Sequence, residues 1–317
     1  MKSGFYYSIL LYTIITTLIY CSACSEISVN PDNLNVNNNF SEEYSDSLIF
    51  LSNRFSSDNS IYNICIMNID GTGLRVVFNK WPVNHITWAP VKGKIFFSTD
   101  TSLTDDSYEI YEYLLDGTNE RFLYSSADRI GELKISPDCK SIAFLTGSGT
   151  VNKLNLLDLE NLENKELTEF RNDLRSIAWS PDGTSLGCVC KTGNDVHLKM
   201  FRLDNLYFAG ERIFLDMVRD YNVIDWCRSS DVIAVNVNHY GFALSYAYDY
   251  QTKTDTNITA GNYIVEGLSW SPDGGRIVLA QTYNHLTVSS LYIYNKKGIN
   301  AFKLTDDQYD DKFPCWQ

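Results

Sequence analysis

Histidine is scarce in this chain, with four in 317 residues, and basic side chains are in the minority, 26 Lys and Arg against 39 Asp and Glu for a formal charge of -13. So acidic a balance argues against a nucleic-acid partner and against direct adhesion to anionic lipid, since both demand a cationic face. The local signatures of common catalytic sites are missing as well. The sequence holds no Gly-x-Ser-x-Gly elbow, no His-Glu-x-x-His pair and no glycine-rich phosphate loop, so motifs supply no catalytic residue and no cofactor. Cysteine is present but unpatterned. Beyond Cys21 and Cys24, the spacing of Cys65, Cys139, Cys188, Cys190, Cys227 and Cys315 matches no zinc motif and predicts buried apolar fillers more than a metal site or a regular disulfide framework. Sustained helical periodicity is also lacking, whereas 21 Tyr, 16 Phe and 44% hydrophobic residues are the material of packed sheets.

The one long apolar run comes first. Lys2 precedes an uncharged stretch from Phe5 to Tyr20 that ends in Cys21-Ser22-Ala23-Cys24. A short basic start, an apolar middle and small residues before a cleavage point are the parts of a secretory signal, which assigns residues 1–23 to a removable leader. Ser22-Ala23-Cys24 is similar to the lipobox of bacterial lipoproteins, with Cys21 where that motif usually has Leu. The resemblance implies that the Cys24 thiol is acylated and becomes the mature N-terminus. Residues 24–47 are polar and Asn-rich, too poor in apolar side chains to offset the entropy of ordering them, and are expected to be a flexible tether.

From residue 48 onward one phrase recurs. Leu268-Ser269-Trp270-Ser271-Pro272-Asp273-Gly274 has a near copy in Ile177-Ala178-Trp179-Ser180-Pro181-Asp182-Gly183. Ile86-Thr87-Trp88-Ala89-Pro90 and Leu133-Lys134-Ile135-Ser136-Pro137-Asp138 are degraded copies, and Ile224-Asp225-Trp226 and Pro314-Cys315-Trp316 keep the Trp end. In each full copy a strand ends on Trp, Pro fixes φ for a tight turn, Gly supplies the positive φ that closes it, and a second β run follows. The anchors Trp88, Ile135, Trp179, Trp226, Trp270 and Trp316 are spaced by about 44 to 47 residues, the period of a four-stranded propeller blade. A second phrase, Asp70-Gly71-Thr72 and Asp116-Gly117-Thr118, falls at a fixed offset and reads as the hairpin between third and fourth strands.

The two phrases together resemble the WD40-like repeat of the TolB propeller, over residues 48–317. The resemblance implies an all-β, six-bladed β-propeller of four-stranded blades, and a binding role in the cell envelope, where TolB is a periplasmic partner in the Tol-Pal system. TolB carries an α/β domain ahead of its propeller, for which the roughly 24 residues after Cys24 leave no room. The first blade lacks its innermost strand at the N-terminal side, and Phe313-Pro314-Cys315-Trp316 stands where an anchor should be. The C-terminal strand is therefore expected to insert into the first blade and close the ring.

In such a ring the Ser-Pro-Asp-Gly turns occupy one face. Loops between blades, and between second and third strands, occupy the other, which is the expected binding face. His85 starts an inner strand, and His239 and His285 fall where second-to-third-strand loops belong, so the three are placed to share one mouth. Propeller lyases that degrade polygalacturonate hold a metal through several histidines. A carbohydrate-active, oligogalacturonate-lyase-like or glycan-binding propeller is thus the alternative to a scaffold for a protein or peptide partner, and solvated loop histidines are the bland reading of the trio. Two residues before each anchor stand Ile86, Leu133, Ile177, Ile224, Leu268 and Pro314, an apolar ring expected between blades. The alternating positions, among them Thr87, Glu132, Lys134, Ser176, Asp225 and Ser269, with Arg175 beside them, are expected to line a polar channel. Loop acids, Asp306, Asp307, Asp310 and Asp311 above all, predict a negative mouth suited to a cationic protein segment or a divalent cation, or serving only solubility. Membrane contact is expected through the N-terminal lipid alone.

Overall fold

A computed structural model describes residues 46–316 apart from 59, 101–106, 149–150, 171–172, 193–194, 215–222, 240, 284–285 and 299–300. The leader, Cys24 and all but the end of the tether lie outside the described residues. Those described form twenty-four strands, β1 to β24 in chain order, in six four-stranded antiparallel sheets. One sheet runs in sequence through β4 (His85–Ala89), β5 (Lys94–Asp100), β6 (Tyr108–Leu114) and β7 (Glu120–Ser126). The same order holds from β8 (Arg129–Ile135) to β11 (Asn164–Phe170), from β12 (Asp173–Trp179) to β15 (Tyr207–Phe214), from β16 (Val223–Trp226) to β19 (Thr254–Gly261), and from β20 (Tyr263–Trp270) to β23 (Phe302–Lys303). The remaining sheet joins the two ends of the chain: β24 (Asp311–Cys315) lies beside β1 (Ser47–Ser52), followed by β2 (Asn63–Asn68) and β3 (Arg75–Phe78). Each inner strand packs on the next, and β24 packs on both β20 and β4, so the ring closes as a six-bladed propeller.

The apolar half of the β alternation explains why the blades stack. Six clusters of buried side chains lie one in each seam, and every anchor sits in the seam before its own blade: Trp88 with Ile49 and Ile64, Ile135 with Phe96, Trp179 with Ala143, Trp226 with Val189, Trp270 with Ala234, and Trp316 with Leu291. The apolar ring two residues earlier is buried with them. Cys188 and Cys190 fill one seam and Cys315 another, as expected of apolar fillers.

The polar half of the same strands serves a different purpose from the expected wet lining. Thr87, Ser176 and Ser269 are buried, and each hydroxyl accepts from a backbone N–H of the next inner strand: Ile135 at 3.1 Å, Ile224 at 3.1 Å and Trp316 at 3.1 Å. Glu132 accepts from Ile177 N–H at 2.7 Å, Asp225 from Trp270 N–H at 2.8 Å, and the Cys315 sulfur from Trp88 N–H. All six junctions are bridged in this way. An inner strand has a partner sheet on one side only, so these bonds satisfy donors on its bare edge that would otherwise be buried unpaired.

Closure by β24 rests on pairing Ile49 with Cys315 and Ser52 with Asp311, and on an ion pair of Arg54 with Asp311 at 2.5 Å whose carboxylate side chain is fully buried. Gly267 allows it sterically. A Cβ there would stand 2.9 Å from both Phe313 Cα and Pro314 Cδ. On the Ser-Pro-Asp-Gly face the turns repeat in detail: Ser180 Oγ donates to Asp182 at 2.6 Å and accepts from Ser185 N–H at 2.9 Å, with Gly183 at φ +70. In the degraded copy, Ser136 and Asp138 make the same contact, and Cys139 takes the glycine position at φ 58.

Candidate functional site

Inner strands run from the loop face to the Ser-Pro-Asp-Gly face, so their first residues surround one end of the channel and their Trp ends the other. At the Trp end Trp226, Trp270 and Trp316 leave about 10 Å³ with Asp225 and Arg228, room for little more than one water. At the loop end the channel opens into a cavity of about 560 Å³, within the range of ligand pockets.

Backbone irregularities decide what faces this mouth. Four of the six inner strands carry a β-bulge, where one residue drops out of the pairing and its side chain is re-aimed. The breaks fall between Ile130 and Leu133, between Leu174 and Ser176, between Val265 and Gly267, and opposite the interval from Lys312 to Cys315. The breaks hold Gly131 with Glu132, Arg175, Glu266, and Phe313 with Pro314, and all of these but Pro314 line the cavity. Phe313 is held at φ 47, a conformation costly for a residue with a Cβ, and its ring packs against His85 at 4.7 Å between centroids. Arg129, Lys312, Tyr62, Asn84 and Asn152 complete the polar wall, and Leu51, Val83, Leu145, Leu174 and Val223 the apolar one.

The carboxylates of the mouth are engaged internally. Glu132 lies 3.4 Å from Lys134 Nζ, its carboxyl pushed above the ordinary value by burial against the pull of Lys134. Glu266 accepts from Lys312 at 2.9 Å and from Ser289 Oγ at 2.9 Å. Lys312 also meets Asp310 at 2.9 Å, and the nearby Tyr62 hydroxyl donates to Asp310; burial and that carboxylate raise the tyrosine to about 12. His85 is held neutral, its pKa lowered to about 3 by burial and then by Arg129 and Lys134. Among the described residues Arg129 makes no ion pair, and its side chain belongs to an exposed residue.

Of the residues anticipated from sequence, His85, Glu132 and Arg175 meet at this cavity. Lys134 lies behind Glu132, and Asp225 belongs to the narrow end. His239 ends β17 (Val232–His239) on the loop face, and His285 lies outside the described residues. Among the described residues no three His, Cys, Asp or Glu side chains are grouped to hold a metal. The negative mouth is corrected. Asp311 is buried on Arg54; Asp310 is buried on Ser289 N–H and Lys312; Asp307 meets Lys303 at 2.6 Å and Ser290 at 2.7 Å; and Asp306 is an exposed turn residue capping Gln308 N–H. None of the four lines the cavity, where among the described residues three cations stand against two carboxylates.

No family model matches the sequence, and no curated protein does. Solved structures do. TolB from Acinetobacter baumannii superposes with a TM-score of 0.72 at 19% identity, over 86% of this chain and 67% of that one. The fold is that of a TolB-like propeller. The protein assigned as TolB in Agrobacterium tumefaciens follows at 0.62 and 17%, covering 84% of this chain and 90% of its own, and an oligogalacturonate lyase in complex with manganese at 0.55 and 12%, covering 83% and 75%.

Sequence reasoning missed Arg129, Glu266, Lys312 and Phe313 in this TolB-like propeller. A signal existed for two of them: Glu266 and Lys312 stand four residues before their anchors, as Arg175 does. Strict alternation turns that position away from the channel, and the bulges turn it back.

Proposed function

We propose that this protein is a non-enzymatic binding scaffold of the bacterial cell envelope that holds a protein or peptide partner at the wide mouth of its channel. The observation that carries this reading is the set of four bulged inner strands that bring Glu132, Arg175, Glu266 and Phe313 to one cavity. Bulges interrupt pairing and cost stability, and they concentrate where a sheet must present a side chain. Export and anchoring come from the N-terminal segment. Acylated Cys24 would hold the propeller at a membrane surface through its tether, with more than one chain needed for a durable hold. Cys24→Ala should then move the protein out of the detergent phase, and a mature protein of unmodified mass would remove the anchor from the proposal.

The site is tested by placing a photo-crosslinking residue at Asn84, on the mouth, and another at Asn161, in a turn of the opposite face, and irradiating whole cells. A discrete adduct from position 84 and none from 161 supports the reading. Adducts from both alike, or from neither, count against it. The lyase alternative predicts cleavage of polygalacturonate by the purified protein with added manganese, and the scaffold reading predicts none.

A further inference from the structure

We propose that the rim of the ring carries a docking groove for a proline-rich peptide segment with a basic residue, built by Trp81, Tyr111 and Phe122 where the first blade meets the next. None of the three lines the mouth, and the inference does not depend on a partner entering the channel.

The repeat itself marks the place. The residue after a third strand donates its N–H to the carbonyl just before the second strand: Leu115 to Gly93, Leu159 to Lys140, Tyr250 to Asp231 and Lys296 to Gly275. These four are equivalent. At the same offset before them stand Tyr111, Asn155, Tyr246 and Tyr292, which pair across to the outer strand with Phe122, Glu166, Asn257 and Lys303. Glu166, Asn257 and Lys303 are exposed polar residues, as suits the solvent side of an outer strand, whereas Phe122 puts a 48% exposed ring there. Its own blade does not need that ring for packing. A bulge in β7 adds Leu123, which fills the seam behind with Phe96 and Phe144, just as Ile258 in β19 fills its seam with Trp270. On the other side β3 has four residues against seven in β7 and leaves Phe122 uncovered.

Ring geometry selects the occupant. Tyr111 stands between Trp81, at 4.9 Å between centroids and 49° between planes, and Phe122, at 5.7 Å and 76°. Neither pair is coplanar, so the rings form tilted-walled slots and not the flat platform on which a sugar stacks. A rigid pyrrolidine fits such a slot, and a polyproline segment enters an aromatic groove with little conformational freedom left to lose. Charge selects the rest. Glu109 accepts from the Tyr111 hydroxyl at 2.9 Å, and Glu120, on the same side of β7 as Phe122, pairs with Lys80 at 2.7 Å. Burial, then the Glu109 hydrogen bond and the charges of Glu109 and Glu120, raise Tyr111 to about 12, so both acids act on the groove. A carboxylate accepts several donors, so Glu109 can receive a basic side chain without giving up Tyr111.

The test uses the full propeller with three fluorescent probes: a short proline-rich peptide carrying one arginine, the same peptide with alanine for every proline, and a cellulose-derived oligosaccharide. Binding is read by anisotropy for wild type, Phe122→Ala, Phe122→Asn, Glu109→Gln and, as a control elsewhere on the rim, Phe302→Ala. Phe122→Asn installs the residue type that β19 carries at this place, and thermal melts check that every variant is folded. The expected result is saturable binding of the proline peptide that weakens about tenfold in Phe122→Ala and Phe122→Asn, the loss of one aromatic contact, and is unchanged in Phe302→Ala. In Glu109→Gln the binding should lose part of its sensitivity to salt. Equal binding of the alanine peptide overturns the proline chemistry. Binding of the oligosaccharide alone, lost in Phe122→Asn, replaces the inference with a glycan site. A wild-type dimer that Phe122→Asn makes monomeric in sedimentation assigns the groove to a second copy of the chain and overturns it too. Equal binding of the proline peptide by wild type and Phe122→Asn overturns it outright. The crosslink from position 84 is independent of all these outcomes, so the reading of the mouth stands or falls separately.

Discussion

The two ends of the channel are made by the same six strands, yet they obey different rules. At the Trp end the chain repeats itself: Trp or Ile closes each strand, Ser and Asp share a hydrogen bond in three of the turns, and the space left is about 10 Å³. At the mouth nothing repeats. His85, Arg129, Arg175, Val223, Glu266 and Lys312 come from six different blades and include no two neighbours alike except the arginines, around about 560 Å³. What is identical from blade to blade serves what every blade needs, a seam and a turn. What differs at equivalent places has been freed from that need, and it is there that binding is sought.

The comparison breaks if the Trp end can be damaged cheaply or the mouth cannot. Trp316 is among the largest fully buried side chains and fills the seam that joins the chain ends. Trp316→Ala should lower unfolding free energy by about 3 to 5 kcal/mol, whereas Arg129→Ala should stay within about 0.5 kcal/mol of wild type. Urea denaturation of both measures the contrast. Similar midpoints for the two variants would contradict it.

Much of the fold was legible because a propeller writes itself six times. The Trp-Ser-Pro-Asp-Gly phrase and its period lead to blade number and strand order, and the missing inner strand of the first blade leads to the role of Pro314-Cys315-Trp316. Even Cys139 kept its turn, because Ser136 and Asp138 retain the hydrogen bond although the glycine is gone. The site was legible in part: His85, Glu132 and Arg175 were anticipated, and Arg129, Glu266, Lys312 and Phe313 were not. His85 was found as one of four histidines. Glu266 was not, because period-2 alternation turns its position away from the channel, and a bulge has no sequence signature of its own to say where that rule stops.

Between the two ends lies the ring of bridges from side chain to backbone, which gives a second, smaller test. Ser176→Ala removes the acceptor of the Ile224 N–H, and Thr87→Val that of the Ile135 N–H, with little change of volume in the latter. Each leaves a buried donor unpaired and should cost about 1 to 3 kcal/mol. The two sites lie in different seams and should be additive within about 0.5 kcal/mol in the double variant. Chemical denaturation of the single and double variants reads this, and costs near zero would mean that the inner edges are satisfied some other way.

The smallest expected effect sharpens the contrast most, because acid should act on the two ends with opposite sign. In the turns, hydrogen bonds from Ser180 and Thr184 hold the Asp182 carboxyl below the ordinary carboxylate value, and those from Ser271 and Gly275 do the same for Asp273. A carboxyl depressed on folding contributes stability that is present above its unfolded value and is lost as pH falls through its folded value, here below 3.8. At the mouth the order is reversed. Burial raises Glu132 above 4.5, so its protonated form is favoured by the folded state, and its contribution is present below the unfolded value and is lost as pH rises through the folded one. Asp182→Asn should therefore flatten the loss of stability below about pH 4, by less than about 1 kcal/mol given how exposed the turn is. Glu132→Gln should instead remove a loss that sets in above pH 4.5, and in doing so separate the two slopes. Urea midpoints measured from pH 3 to 7 test both, and parallel pH profiles for the two variants would show that the two ends do not titrate in opposite senses.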